Sequence, residues 1–450
     1  MRIALVGGGG SRTPVVYRGL IDRIERLGPV TLTLHDLDPV ARARVERIIA
    51  GIDEELGGGL PMVSTTDLDT AVDGADFVLT AIRAGGFAGR CLDEAVPLAH
   101  GVLGQETVGP GGFALAVRNI PALQHIAQVM RRRAPSAWMI NLSNPAGMAT
   151  QALAPMLDGR VVGVCDSPRA LARGIASAAN VDVDRLHVEY AGLNHLGWVN
   201  AAWYDGRDLL PSLIDDDVLE QIEEARLLGT EAIRAQRALP NEYVYFYDHR
   251  DMAVRNMLDQ PEHRGAFLQR QQADLISQID EADTPKEVLR RYRESLAHRN
   301  DTYLSTEANL DREAGAAEDV FAAVGGYHEM ALSVAEAIRC DRPQVLIVNT
   351  PNRGAVDGLD DDDVVEVPAV VRHAGVFPLK ARLSPAQGRL VASVKEYERE
   401  ALDAIARGSR GHAVMALSAH PLVPDAPTAE RIIGDYLGRS TAIAEVLDRA

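Results

Sequence analysis

Two residues that could bind a metal follow apolar, strand-like runs of this sequence. Cys165 lies in Gly-Val-Cys-Asp-Ser-Pro (163–168), and His195 lies in Gly-Leu-Asn-His-Leu-Gly-Trp (192–198). A thiolate and an imidazole suit a divalent transition metal that keeps open coordination positions. Each residue also has a structural interpretation, because a free Cys is usually inert core and a His beside Leu and Trp is usually hydrogen-bonded within a core. The rest of the chain has to decide between these interpretations.

A glycine-rich turn near residue 10 could bind a phosphate. It follows the apolar run Arg2–Val6, precedes a helical pattern that begins at Val15, and contains Gly8, Gly9, Gly10, Ser11, Arg12 and Thr13. Glycines allow the backbone to approach a phosphate, and the free N–H groups at the start of a helix face the anion. The usual G-x-G-x-x-G pattern does not fit, because Arg12 or Thr13 occupies the third glycine position.

An acidic residue follows the second predicted strand. The strand Val30–Leu34 runs into His-Asp-Leu-Asp, which places Asp36 where a Rossmann domain binds the adenosine ribose. An acid there favours NAD over NADP, because it repels a 2′-phosphate. The alternative is that Asp36 caps the helix predicted over Pro39–Leu56.

Strands and helices continue to alternate, which predicts an α/β fold with a doubly wound parallel sheet. Further strands are expected at Phe77–Ala81, Trp138–Asn141 and Val161–Val164. Ligands of such sheets bind beyond the carboxyl ends of the strands. The candidate residues there are Arg83, Asn144, Cys165 and Asp166.

The segment Arg83–Phe113 is predicted to be a long loop, a kind of segment that is usually functional or disordered. Its apolar residues argue against disorder. Arg83 and Arg90, together with several glycines, suit anion binding, and Gln105 and Glu106 suit contacts with hydroxyl groups or water.

Length and composition limit the class of protein. With 450 residues, 46% hydrophobic and 24% charged, the chain is expected to form two packed lobes, 1–168 and 169–450. A net charge of −18 argues against nucleic acid and anionic membranes as partners. Three cysteines, no membrane-spanning apolar run and no signal peptide lead us to expect a cytoplasmic protein.

Several motifs together resemble the NAD-dependent family-4 glycoside hydrolases, most closely the 6-phospho-β-glucosidases. The glycine turn resembles the family's Gly-Gly-Gly-Ser-x-x-Thr-Pro with one residue fewer. The other matching motifs cover nearly the whole chain: Arg-x-Gly-Gly-x-x-x-Arg (83–90), Asp-Glu (93–94), Gly-Gln-Glu-Thr-x-Gly-x-Gly-Gly (104–112), Asn-Pro-Ala (144–146), Cys-Asp-x-Pro (165–168), Gly-Leu-Asn-His-Leu (192–196), Pro-Asn-Glu-Tyr (240–243), Gly-Gly-Tyr (325–327), Val-Asn-Thr-x-Asn-x-Gly (348–354) and His-Pro-Leu (420–422).

The resemblance implies hydrolysis of 6-phosphoglucosides by a redox route that differs from the usual two-carboxylate scheme. In this family NAD⁺ oxidises C3 of the sugar, a base removes the C2 proton, the aglycone is eliminated, water adds and the hydride returns. A metal, usually Mn²⁺, stabilises the enediolate. The resemblance assigns Cys165 and His195 as its ligands, whereas ligand softness alone favours Zn²⁺ or Fe²⁺.

The resemblance also assigns the remaining site residues. Tyr243 would be the C2 base, and because a free phenol titrates near 10, a cation such as the metal must acidify it. The alternative is that Tyr243 packs at strand spacing with Tyr245 and Tyr247. We expect five residues to contact the sugar, namely Arg83, Arg90, Glu106, Asn144 and Asn194, and we expect Arg83 and the glycine turn to contact NAD. The second lobe is expected to have a mixed α+β fold, as in lactate and malate dehydrogenases. The protein is expected to form a homodimer or a homotetramer.

Asp166 departs from the β-glucosidase pattern. Asn usually follows the metal-binding Cys in the phospho-β-glucosidases, whereas Asp is typical of the phospho-α-glucosidases, where it can protonate the leaving group. A 6-phospho-α-glucosidase or another glycosidase of the family is therefore an alternative. A plain NAD-dependent hydroxyacid dehydrogenase is a second alternative, against which the Cys165 and His195 pair argues. An NAD-sensing regulator is a third, against which the intact set of candidate catalytic residues argues.

Overall fold

The computed structural model describes residues 1–302, 304, 308, 321 and 326–448. The strands of this part of the chain form one sheet in the order β10-β8-β7-β12-β11-β6-β5-β4-β1-β2-β3, with β13 beside β12 and β9 beside β8. Their bounds are β1 Arg2–Val6, β2 Thr31–His35, β3 Met62–Thr65, β4 Phe77–Thr80, β5 Trp138–Asn141, β6 Val161–Gly163, β7 His187–Leu193, β8 Leu196–Tyr204, β9 Arg207–Asp208, β10 Leu239–Pro240, β11 Gln344–Pro351, β12 Val364–Arg372 and β13 Gly375–Pro378.

The helices surround this sheet. Their bounds are α1 Thr13–Ile21, α2 Ile24–Leu27, α3 Pro39–Leu56, α4 Leu68–Val72, α5 Gly86–Ala99, α6 Gly109–Arg133, α7 Ala146–Leu153, α8 Ser167–Ala179, α9 Leu210–Asp215, α10 Glu223–Leu228, α11 Thr230–Gln236, α12 Tyr245–Asp248, α13 Arg250–Asp259, α14 Arg264–Glu281, α15 Pro285–Asp301, α16 Tyr327–Arg339, α17 Pro385–Arg407, α18 Arg410–Ala419, α19 Ala426–Arg439 and α20 Thr441–Leu447. No helix in the described ranges is long and apolar enough to cross a bilayer.

The first six strands form the predicted parallel sheet, in the order β6-β5-β4-β1-β2-β3. Side chains alternate between its two faces. Ile3 and Leu5 of β1 pack in a core cluster with α1 and α3. Ala4 and Val6 pack in a separate cluster with α6. Because both faces are covered by helices, the strands are apolar on both sides, as the doubly wound fold requires.

The remaining strands add antiparallel to this sheet. The junctions are narrow, since β11 pairs with β6 through Asn349 and Gly163, and β12 pairs with β7 through Glu366 and Gly192. This confirms the predicted Rossmann-like sheet with a second, mixed α+β part.

Helices of the second half also pack back on the first. Arg44 of α3 lies 2.6 Å from Asp280 of α14, and Arg293 of α15 lies 2.7 Å from Glu55 of α3. A domain boundary at residue 168 stays a prediction.

The prediction of a long loop over Arg83–Phe113 is wrong. Residues 86–99 form α5, and α6 already begins at Gly109. The glycines at both ends suggest a loop, but Leu92 and Val96 lie four residues apart and pack on the core from one face of a helix. The sequence also predicts a helix over Ala322–Ile338. Residues 322–325 lie outside the described residues, and residues 327–338 form all of α16 except its last residue.

Candidate active site

The glycine turn between β1 and α1 allows a ligand to approach the backbone closely. Gly7 has a φ of +93°, and a Cβ there would lie 2.5 Å from the Ala81 carbonyl oxygen. The Gly9 N–H donates a hydrogen bond of 2.8 Å to Asp36 Oδ2, which fixes the turn against the end of β2. The turn leads into the N-terminus of α1, which no side chain caps. This geometry fits the pyrophosphate of a dinucleotide.

Asp36 does not cap the following helix. The N-cap of α3 is Asp38, whose carboxylate accepts from the N–H groups of Val40 and Ala41. The capping interpretation of Asp36 is therefore wrong. Its carboxylate instead lies beside the glycine turn at the end of β2, where ribose hydroxyls are bound in Rossmann domains.

We expect Asp36→Ala to weaken NAD⁺ binding and to narrow the preference for NAD⁺ over NADP⁺, because the charge that repels a 2′-phosphate is lost. Asp36→Asn removes the negative charge but keeps an oxygen that accepts the Gly9 N–H. This variant therefore separates the effect of the charge from the effect of a disturbed glycine turn. The dissociation constants of both cofactors, measured by calorimetry, should show the preference falling by about tenfold in both variants. An unchanged ratio would leave Asp36 with only a structural role.

Cys165 and His195 have the burial and chemistry of metal ligands. They are 2% and 1% exposed; Cys165 lies just beyond β6, and His195 lies in the turn between β7 and β8 with a φ of +63°. Both ring nitrogens of His195 are buried without a hydrogen-bond partner. Burial lowers the pKa of His195 to about 3, so the imidazole is neutral and its lone pair is available. A buried His without partners is unusual in a core and fits a ligand for a metal ion.

The described residues hold no cluster of three or more His, Cys, Asp or Glu side chains that could bind a metal. Two protein ligands would leave coordination positions for substrate oxygens, as catalytic metal sites require. Burial raises the pKa of the Cys165 thiol, and its Sγ lies 3.5 Å from the Ser167 hydroxyl. A bound cation would be needed to keep this thiol ionised.

Tyr243 lies directly on the face of His195. The two rings stack with centroids 3.7 Å apart and an interplanar angle of 5°. The predicted alternative, packing at strand spacing, is wrong, because Glu242–Val244 form a 3-10 helix that continues into α12. Asn241 caps this turn by accepting the Tyr243 N–H at 3.2 Å. A tight turn therefore places the phenol of Tyr243 beside His195 of the candidate metal site.

Asp166 is at the N-cap position of α8, but its side chain makes no capping hydrogen bond. It faces Arg12 and Tyr327 instead, and the Arg12 guanidinium lies 4.0 Å from the centre of the Tyr327 ring. Burial raises the pKa of Asp166, although the charge of Arg12 opposes the shift. A carboxyl with a raised pKa suits an acid that protonates a leaving group.

Tyr327 connects the parts of the site. Its phenol interacts electrostatically with Asp166, Cys165, Arg12 and Tyr243. The sequence motif at 325–327 pointed to this segment, but no role was assigned to Tyr327 from the sequence.

A cluster of arginines lies beside the candidate metal site. Glu106, which interacts electrostatically with His195, forms ion pairs with Arg83 and with Arg90, the latter at 2.8 Å. Burial raises the pKa of Glu106, but the two guanidinium charges outweigh this and hold it at about 2. The predicted residues Arg83, Arg90 and Glu106 are thus brought together as one charged group.

Arg264 and Arg299 join this group from α14 and α15. Burial, with the charges of Arg12, Arg90 and Arg264, lowers the pKa of Arg299 to about 9, and Glu106 opposes this only weakly. The four guanidinium groups outnumber the two carboxylates of Glu106 and Glu94, the latter 2.8 Å from Arg90, which favours an anion at this place. Sequence reasoning missed Arg264 and Arg299, because both lie in charge-rich helices that resemble solvated surfaces.

The two predicted asparagines lie where α7 meets the His195 turn. The Asn144 carbonyl accepts from Asn119 Nδ2 at 2.7 Å, and Asn194 Oδ1 accepts from the Ala146 N–H at 3.1 Å. The turn that carries His195 is therefore tied to the start of α7.

Comparison with known proteins agrees with this geometry. Residues 2–181 match the sequence model for the "Family 4 glycosyl hydrolase" and residues 190–423 that for the "Family 4 glycosyl hydrolase C-terminal domain". The chain is 30% identical over 449 residues to a probable 6-phospho-beta-glucosidase of Bacillus subtilis (97% of this chain, 96% of that one). It is 29% identical over 461 residues to 6-phospho-alpha-glucosidase 1 of Lacticaseibacillus paracasei, with the same coverage.

Solved structures show the same similarity. The 6-phospho-beta glucosidase from Thermotoga maritima, solved with manganese, NAD⁺ and glucose-6-phosphate, superposes with a TM-score of 0.84 at 25% identity, covering 99% of both chains. Lactate dehydrogenase from Cryptosporidium parvum superposes with a TM-score of 0.52 at 15% identity, covering 89% of this chain and 98% of that one, which shows a shared fold only.

Proposed function

Because this chain belongs to the family 4 glycosyl hydrolases and is a glycosidase, we propose that it hydrolyses 6-phosphoglucosides with bound NAD and a divalent metal. The observation that carries the proposal is the neutral, unpartnered imidazole of His195, stacked on Tyr243 in a protein that also has a dinucleotide cradle. An ordinary glycosidase needs two carboxylates and neither of these groups.

In the proposed reaction, bound NAD⁺ supplies reversible oxidation at C3 of the sugar, and the metal supplies Lewis-acid polarisation of the C2 and C3 oxygens. Cys165 and His195 would hold the metal, which is Mn²⁺ in relatives. Tyr243 removes the proton from C2, which the neighbouring C3 ketone makes acidic. Asp166 donates a proton to the glycosidic oxygen as the C1–O bond breaks. Water then adds to C1, a proton returns to C2, and reduction of C3 completes a net hydrolysis.

The division of roles around Asp166 is supported by its neighbours. Arg12 and Tyr327 each interact electrostatically both with Asp166 and with Tyr243. A base and an acid on different elements can then act at C2 and at the glycosidic oxygen without sharing a proton.

We propose a 6-phospho-β-glucoside as substrate, with the 6-phospho-α-glucoside as the alternative. Curated relatives of both kinds match almost the whole chain at similar identity. Asp166 favours the α anomer, whereas the other motifs favour the β anomer. Elimination through C2 does not require a particular anomer. Which anomer is hydrolysed therefore depends on the position of the aglycone relative to Asp166.

The arginine cluster is proposed to bind the 6-phosphate. Arg299→Gln should lower kcat/KM for a 6-phosphorylated glucoside by about 10- to 100-fold, because one charge-assisted hydrogen bond to the phosphate is lost. The unphosphorylated glucoside should be much less affected. Arg290→Gln is the control, since Arg290 lies on the same helix and pairs on the surface with Glu294 at 2.6 Å. Equal losses on both substrates would contradict a phosphate role for Arg299.

The experiment that tests the proposal as a whole compares p-nitrophenyl α- and β-glucosides, each with and without 6-phosphate. Assays contain Mn²⁺, NAD⁺ and a thiol reductant, and omit each in turn. We expect hydrolysis that depends on NAD⁺ and metal, with no net formation of NADH. Undiminished turnover after thorough removal of nucleotide would contradict the proposal, and stoichiometric NADH would favour the dehydrogenase alternative.

We further propose a cytoplasmic homodimer or homotetramer with lobes near 1–168 and 169–450. All three cysteines are free, which supports a reducing compartment. The exposed side chains of Met252 and Leu258 on α13 are compatible with a subunit contact.

A further inference from the structure

A chain of buried hydrogen bonds leads from β12 to the turn that carries Tyr243. Asn349 Nδ2 donates to Glu366 Oε1 at 2.8 Å, and the Tyr190 hydroxyl lies 3.2 Å from Glu366 Oε2. Asn241 Nδ2 lies 2.9 Å from the same hydroxyl, and Asn241 Oδ1 accepts the Tyr243 N–H. The side chains of Asn241, Tyr190, Asn349 and Glu366 are all fully buried.

The donor and the acceptor of each hydrogen bond in this series follow from its end at Tyr243. The Tyr243 backbone N–H can only donate, so the oxygen of the Asn241 amide must face it. The Asn241 amino group then donates to the Tyr190 oxygen, and the Tyr190 proton is left for Glu366. The Tyr243 N–H thus fixes the orientation of Asn241, and Glu366 accepts the Tyr190 proton at the other end of the series.

The surrounding backbone leaves room for this chain. A Cβ on Gly197 would overlap the Tyr190 hydroxyl, so the second glycine of the His195 motif makes space for the phenol. Glu366 also pairs with Gly192 of β7 and with Asn349 of β11 in the sheet. Glu366 thus joins the strand that leads to His195, through its backbone and through the Tyr190 hydroxyl, to the turn that bears Tyr243, and the rings of His195 and Tyr243 stack on each other.

We propose that Glu366 and Tyr190 are positioning residues for Tyr243, which they hold over His195 through Asn241. The inference rests on the proposed function, in which Tyr243 removes the C2 proton. Tyr190 contacts neither sugar nor metal in this scheme, so its loss should slow proton removal without weakening the binding of substrate. Glu366 also interacts with Asn194 and with the Cys165 thiol, so Tyr190 is the cleaner position for a test.

The test variant is Tyr190→Phe, which removes one oxygen and no packing volume. We expect kcat to fall about 10- to 100-fold, because a base displaced by an ångström loses that much. KM should change less than threefold, and the kinetic isotope effect of a C2-deuterated substrate should rise, since proton removal becomes slower. Glu366→Gln is the second variant and should shift the same quantities in the same direction. Tyr17→Phe is the control, because Tyr17 is equally buried and loses a 2.6 Å bond to Asp53 in the first lobe.

A second measurement does not depend on catalysis. In the substrate-free protein, the backbone amides of 239–248 should exchange with D₂O about tenfold faster in Tyr190→Phe than in the wild type or Tyr17→Phe. If the wild type does not exchange the C2 proton of the substrate, the proposed function fails. The amide exchange would still show whether the series of hydrogen bonds from Glu366 to Asn241 holds the turn that carries Tyr243. Unchanged exchange, or an unchanged kcat and isotope effect in both Tyr190→Phe and Glu366→Gln, would overturn the inference.

Discussion

Replacing Cys165 with Ser, or His195 with Ala, is expected to abolish metal-dependent activity and to leave NAD⁺ binding nearly unchanged. Both side chains are buried, and neither nitrogen of His195 has a hydrogen-bond partner in the protein, so a bound cation would satisfy one of these nitrogens together with the Cys165 thiolate. A Lewis acid supplies several kcal/mol to such a reaction, which corresponds to a loss on the order of a thousandfold. The nucleotide cradle is formed by the turn after β1 and the end of β2, and neither residue belongs to it.

Calorimetric titrations measure the affinities for Mn²⁺ and for NAD⁺, and steady-state kinetics measures the activity. Cys340→Ser is the matched control, since Cys340 is only half-buried and its Sγ lies 3.3 Å from the Arg26 carbonyl oxygen. Full activity and unchanged Mn²⁺ affinity in either ligand variant would return that residue to a purely structural role.

Tyr243→Phe is expected to lower kcat by roughly a hundredfold or more, because the phenol is the proposed general base. The phenyl ring can still stack on His195, so the fold and the metal affinity should persist. Exchange of the substrate's C2 proton with solvent should fall in parallel with turnover. Kinetics and nuclear magnetic resonance of the recovered sugar measure the two effects.

A loss of turnover alone would not identify a base, since a misplaced sugar would give the same result. Tyr245→Phe controls for packing, because Tyr245 is a buried neighbour at the start of α12 whose ring contacts Phe246 and His249. Retention of C2 exchange in Tyr243→Phe would contradict the role given to this residue.

Most of the parallel sheet follows from the sequence. Apolar runs predict β1 and β5 at their observed bounds and the other buried strands to within a residue. The exception is β3 (Met62–Thr65), which went unpredicted because it is a short edge strand, has no fully buried residue and leaves Val63 half exposed. Local patterns detect strands that are buried on both faces and miss those that are not.

The site could be predicted only where its residues follow strands or lie in recognisable motifs. Cys165 and Asp36 follow parallel strands, so the fold places them at one edge of the sheet, whereas His195 lies in the turn of an antiparallel hairpin and was found by its motif. Arg299 and Glu366 come from elements far along the chain, and only the packing of α15 and the pairing of β12 bring them to the site. Long-range contacts of this kind leave no periodic signal in the sequence.

The central claim is that hydrolysis proceeds by removal and return of the C2 proton. With wild-type enzyme, Mn²⁺ and NAD⁺ in D₂O, hydrolysis of the preferred 6-phosphoglucoside should give glucose 6-phosphate that carries deuterium at C2. A two-carboxylate glycosidase does not break the C2–H bond. Product with deuterium at C2 is the predicted result, and complete hydrolysis with C2 still carrying hydrogen would contradict it.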